Sequence, residues 1–180
     1  FLADCGVVPE PNMEQLASIA VQTGLVARQV FGRRPRVAML SFSTKGSAKT
    51  ASTEKVAGAV ALARQLADNL GAEIAVDGEM QADTALLPEL AERKMGASLV
   101  AGKANVLVFP DLNSGNIAAK LVQILSGGRV YGQILLGLSH PAADLSRGAS
   151  AEDILAVAAI VGLQAIEYRK LYPAGEDAEA

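Results

Sequence analysis

The chain has 180 residues, 51% of them hydrophobic, which is enough for one substantial core, and it carries a net charge of -3. Its Lys and Arg are scattered, so no basic stripe is available for a nucleic-acid backbone, and no run approaches the ~20 apolar residues that span a bilayer. A single cysteine excludes an internal disulfide framework, no Cys or His spacing resembles a metal site, and a reducing cytoplasm is the expected compartment.

The opening Phe1-Leu-Ala-Asp-Cys has neither an initiating Met nor the basic start of a signal peptide, so a piece of a longer polypeptide is expected. Short β-rich runs at 1–8, 36–42, 73–76, 106–109 and 130–136 alternate with segments of helical period. Asn12 and Gln15 form a capping box that starts the first helix, which Gly32 and Pro35 end. Further helices are predicted over 53–70, 88–94, 115–125 and, from the Ser150-x-x-Asp153 start signal, 150–171. Strand alternating with helix predicts an α/β fold with a mostly parallel sheet. The acidic end at 174–180 reads as a frayed tail.

In such folds ligands gather where strand carboxyl ends meet helix amino ends, and four connections there are unusual. Ser41-Phe-Ser-Thr-Lys-Gly-Ser-Ala-Lys49 sets four hydroxyls and two lysines after a buried strand, which suits either a phosphate cradle or a solvated turn. It is not a P-loop, because Ala48 stands before Lys49 where glycine is required. No dinucleotide fingerprint occurs elsewhere. Asp77-Gly-Glu-Met-Gln-Ala-Asp83 reads first as a soluble acidic turn.

Phe109-Pro-Asp-Leu-Asn-Ser-Gly-Asn116 is richer in polar groups than a helix cap needs, which points to a ligand at the helix amino end. Pro141-Ala-Ala-Asp-Leu-Ser-Arg-Gly148 leads into Ser150 and Asp153, and its Ser146, Arg147 and Gly148 go beyond the needs of capping. Cys5 reads as a small buried hydrophobe, and His140 as a surface histidine.

Taken in order, Phe1-Leu-Ala-Asp-Cys, Arg36-Val-Ala-Met-Leu-Ser-Phe-Ser-Thr-Lys-Gly-Ser-Ala, Asp77-Gly-Glu-Met-Gln, Phe109-Pro-Asp-Leu-Asn-Ser-Gly-Asn and Asp144-Leu-Ser-Arg-Gly resemble the phosphate acetyltransferase (phosphotransacetylase) family, within the phosphate acetyl/butyryltransferase superfamily. The resemblance implies a three-layer α/β/α sandwich like that of isocitrate dehydrogenases. It also implies that residues 1–140 correspond to the family's second domain and 141–173 to a C-terminal return segment with a long helix, the family's N-terminal domain being absent.

The family exchanges an acetyl group between acetyl phosphate and coenzyme A, so the implied partners are acetyl phosphate, phosphate and coenzyme A, the last as substrate with no resident cofactor, and a second copy in a homodimer. By resemblance Asp153 is the base for the thiol, while Ser146 and Arg147 contact acetyl phosphate. Substrate contacts are implied at Ser43, Thr44, Lys45, Gly46 and Ser47, at Asn113, Ser114, Gly115 and Asn116, and at Cys5, which is near the cleft but not a covalent nucleophile. The chain departs from the family at Ile124, Gln133, Leu136 and Ala143. Ile124 and Ala143 argue for an alternative, a non-catalytic acyl-CoA-binding regulatory domain like the one fused to some malic enzymes, and the retained Ser146, Arg147 and Asp153 argue against it. A third possibility, assembly through the apolar face of the final helix at Ile154, Leu155, Val157, Ala158, Val161, Leu163 and Ile166, stays open.

Overall fold

The computed structural model describes residues 1–171, so the tail predicted at 174–180 lies outside the described residues. Four parallel strands form the central sheet: β1 (Leu2–Ala3), β2 (Arg36–Leu40), β3 (Ala75–Met80) and β4 (Val106–Val108), in the order β1-β4-β2-β3. Helices α1 (Met13–Phe31) and α2 (Ala51–Asn69) connect β1 to β2 and β2 to β3. The path then reverses direction through α3 (Ala82–Leu86) and α4 (Pro88–Met95) to reach β4.

The pleat sorts the strand residues into two faces. Val37, Met39, Val76, Val106 and Val108 pack with Leu16, Ala20 and Val21 of α1 and with Val56, Val60 and Ala63 of α2. On the opposite face Ala38, Leu40, Ala75 and Met80 pack with Ala85, Ala91 and Val100. The result is the three-layer α/β/α sandwich that the family resemblance implied. Each fully buried Val or Leu contributes about 1.5–3 kcal/mol relative to exposure.

Beyond the sheet, α5 (Leu112–Ser126) follows β4, a separate antiparallel pair joins β5 (Ile134–Leu135) to β6 (Ala142–Ala143), and α6 (Ala151–Leu171) closes the described chain. Val157 of α6 is buried, whereas Ile154, Leu155, Leu163 and Ile166 are exposed. On α5, Ile117, Leu121, Ile124 and Leu125 form a second exposed apolar stripe. Among the described residues no helix is long and apolar enough to cross a membrane.

Several predicted boundaries are corrected. The strand expected over 1–8 stops at Ala3, because the Asp4 carboxylate accepts the amides of Gly6, Val7 and Val8 and turns the chain outward. The strand expected at 130–136 shrinks to Ile134–Leu135 and pairs with β6 instead of joining the parallel sheet. Helix α2 begins at Ala51, where Thr50 and Thr53 cap each other, and α5 begins at Leu112, where Asp111 caps. The largest correction falls on Asp77-Gly-Glu-Met, which is the buried body of β3 rather than a surface turn.

Candidate active site

The carboxyl ends of β1, β4 and β2 deliver Asp4 and Cys5, residues 109–116, and the 41–49 loop to one edge of the sheet. Asp111 fixes the start of α5 by accepting from the Ser114 amide at 2.8 Å, and the Ser114 hydroxyl returns a bond to the Asp111 carbonyl at 2.9 Å. Gly115 lies so close to β1 that a Cβ there would stand 2.0 Å from the Asp4 carbonyl oxygen. The next residue, Asn116, donates from Nδ2 to the Cys5 carbonyl at 2.9 Å. Gly115 and Asn116 thus dock α5 against the chain just past β1, Ser114 closes the helix cap, and Asn113 is exposed. Lys55 of α2 adds a further tie, donating to Glu10 Oε1 at 2.7 Å and to the Pro110 carbonyl at 3.0 Å.

The C-terminal segment reaches the same edge through β5. The Gln133 carboxamide lies against Gly6, and the Gln133 and Asp144 backbones exchange hydrogen bonds at 2.7 and 2.9 Å. Ser146 and Arg147 follow within three residues, exposed on a turn that the Ala149 amide closes by donating to the Ser146 carbonyl at 2.9 Å. Asp153 stands in the first turn of α6, where Oδ2 accepts from the Ser150 amide at 2.9 Å and from the Ser150 hydroxyl at 2.7 Å. Those two bonds, backbone first, hold its carboxyl below the ordinary aspartate range, with Arg129 adding a weaker attraction. Arg129 itself pairs with the neighbouring Glu152.

The 43–47 loop forms a second cluster, tied to β3 and about 10 Å from β1 at two strand spacings. Ser43 and Thr44 are buried, while Lys45, Gly46 and Ser47 are exposed. Lys45 Nζ donates to Asp77 Oδ1 at 2.8 Å and to the Gly78 carbonyl at 3.0 Å. Arg64 reaches the same carboxylate oxygen at 2.7 Å, and the Ser98 hydroxyl takes the other at 2.7 Å. Burial alone would raise the Asp77 pKa, but the bonds from Lys45, Ser98 and the Gly78 amide, with the Lys45 charge, outweigh it and lower it.

Cys5 differs in kind. Burial, with the Asp4 carboxylate beside it, pushes its thiol up to about 11. It is poorly ionised at neutral pH, and no covalent role is supported. The burial of Asp77 and Glu79 runs against the acidic surface turn expected from the sequence. Its signal was present: an acid at every second position straight after the apolar Ala75-Val76 continues a strand period.

An open parallel sheet with helices on both faces, and with hydroxyl, amide and carboxylate groups gathered at its carboxyl edge, defines an α/β protein of the ligand-binding doubly covered class. The sequence matches the family described as phosphate acetyl/butaryl transferase over residues 1–162, and the chain belongs to that family. It is 52% identical over 163 residues to a phosphate acetyltransferase of Acetivibrio thermocellus, covering 91% of this chain and 48% of that protein. With the Bacillus subtilis phosphate acetyltransferase the identity is 48% over 164 residues, covering 91% and 49%. Among solved structures, the EutD phosphotransacetylase from Staphylococcus aureus superposes with a TM-score of 0.86 at 47% identity, covering 91% of this chain and 49% of that one. The chain spans about half the length of the curated relatives it matches.

Proposed function

We propose that the polypeptide carrying this chain is a phosphate acyltransferase that moves an acetyl group reversibly between acetyl phosphate and coenzyme A. The observation that carries this reading is the match to phosphate acetyltransferases over nine-tenths of the chain at about half identity. Coenzyme A is a substrate, no resident cofactor is needed, and the working form is a cytoplasmic homodimer. A regulatory module without turnover is not favoured, because the matched relatives carry the name of the enzyme.

In the proposed reaction the coenzyme A sulfur attacks the acetyl carbonyl carbon. A C–S bond forms, the bond from that carbon to the bridging phosphate oxygen breaks, and acetyl-CoA and phosphate leave. Asp153 accepts the thiol proton and passes it to the departing phosphate. Ser146 and Arg147 offer donors to the phosphate and to the carbonyl oxygen as charge grows there, a contribution typically of a few kcal/mol per donor. Because the free thiol has a pKa of about 8.5 and Asp153 lies below an ordinary aspartate, the proton transfer is uphill and belongs with C–S bond formation rather than before it.

The test is a thiol-release assay with acetyl phosphate and coenzyme A on wild type, Asp153→Asn and Asp153→Ala. Asparagine keeps an acceptor for Ser150 and loses the base, so both variants are expected to fall by about 100-fold or more. Equal rates in wild type and Asp153→Asn would remove Asp153 from the chemistry.

A further inference from the structure

Glu79 is 4% exposed, at the carboxyl end of β3, and its hydrogen bonds run to the loop across from it. Its Oε1 accepts from the Ser43 hydroxyl at 2.9 Å and from the Gly46 amide at 2.7 Å. Its own carbonyl accepts the Lys45 amide at 3.1 Å, and two residues on, the Gln81 amide donates to Thr44 Oγ1 at 3.0 Å. Within the loop, Ser43 Oγ accepts from the Ala48 amide at 3.1 Å and lies 3.2 Å from Ser47 Oγ, which accepts the Thr44 amide at 3.0 Å. A chain of bonds from Thr44 through Ser47 and Ser43 thus ends on one buried carboxylate oxygen.

A Ser/Thr/Gly-rich turn ahead of a helix makes a hollow of donors that suits an anion. Here a side chain of the protein fills it. Lys45 holds φ at 49°, a left-handed conformation uncommon for a residue with a side chain, and such geometry persists where the surroundings over-determine it. Glu79 supplies that determination on both sides of Lys45, through Ser43 before it and Gly46 after it.

We propose that Glu79 is a positioning residue, an internal carboxylate that shapes the 43–47 loop for substrate while touching no substrate itself. The proposal rests on the acyltransferase reading, in which the loop contacts substrate. Its chemistry also separates shape from charge: a glutamine at this position keeps an oxygen for both donors, whereas an alanine leaves the Ser43 hydroxyl and the Gly46 amide without it, and an aspartate draws the oxygens back by one methylene.

The experiment compares wild type with Glu79→Gln, Glu79→Asp and Glu79→Ala by amide exchange at Gly46 and by thiol-release kinetics. Glu79→Gln is expected to keep Gly46 protection and a KM for acetyl phosphate within about threefold of wild type. Glu79→Ala, and Glu79→Asp should alanine fail to fold, is expected to lose Gly46 protection and raise that KM by about tenfold or more with a smaller change in kcat. Unchanged KM in both truncating variants overturns the proposal, as does a fall in kcat alone. An inactive wild type whose Gly46 exchange still separates glutamine from alanine overturns the acyltransferase reading and leaves the shaping role of Glu79 standing.

Discussion

Asn116 and Cys5, 111 positions apart in sequence, meet in one hydrogen bond of 2.9 Å from the asparagine carboxamide to the cysteine carbonyl. That bond turns the amino end of α5 against β1, and it works only because Gly115, one residue earlier, lets the Asp4 carbonyl come in.

Gly115→Ala therefore pits a better helix former against a backbone contact that has nowhere to go. Elsewhere in a helix the exchange would add up to about 1 kcal/mol of stability. Here a Cβ 2.0 Å from a carbonyl oxygen forces β1 and α5 apart. A net loss of about 1–3 kcal/mol is expected, read as a lower urea midpoint at unchanged slope.

Asp77 couples the fold to pH. Its folded pKa lies below its unfolded value, so its contribution is fully present above the ordinary aspartate value of about 3.9 and is lost as pH falls through the lower, folded value. Asp77→Asn removes that carboxylate from Lys45, Arg64 and Ser98. The variant is expected to be less stable near neutral pH and to show a flatter decline in unfolding free energy below about pH 4.

Cys5 is expected to resist alkylation. With its thiol pushed up to about 11, roughly one molecule in a thousand is thiolate at about pH 8. Iodoacetamide labelling should be slow there and should keep accelerating as pH rises well above 9. Cys5→Ala is expected to retain turnover, since no step uses the sulfur as a nucleophile. A labelling profile that reaches its plateau near pH 8 would contradict the buried environment.

Ser150→Ala should act at a distance from its own side chain. The Ser150 hydroxyl is one of the two donors that hold Asp153 low, so its loss is expected to move the Asp153 carboxyl up towards the ordinary aspartate value. The acid limb of kcat/KM should move in the same direction. The cap itself is worth about 1 kcal/mol, measurable in the same protein by denaturant.

The α/β class and the parallel sheet were legible because they follow from pattern, whereas the three layers came from the family resemblance. The β-rich run at 36–42 marked β2, and Asn12 with Gln15 marked the start of α1. What failed to show was the destination of polar groups. Gly115 and Asn116 also hold two elements together, because the Asp4 and Cys5 carbonyls are neighbours that no local spacing discloses. Asp77 and Glu79 read as solvent-facing because acids usually are. Their burial depends on Lys45, Arg64, Ser43 and Gly46, which arrive from elsewhere in the chain. The Ser150 and Asp153 start signal was read correctly, since both partners lie within one turn.

The Ser150 and Asp153 pair ties proton traffic to the order of a helix end. A proton on the Asp153 oxygen that serves the cap weakens both bonds from Ser150, so protonation and loosening of the first turn of α6 become linked equilibria. The amide of Ile154, which donates to the Ser150 carbonyl at 3.1 Å, is then a built-in gauge. Its exchange rate, followed against pH, would trace the titration of the proposed base without any substrate being present.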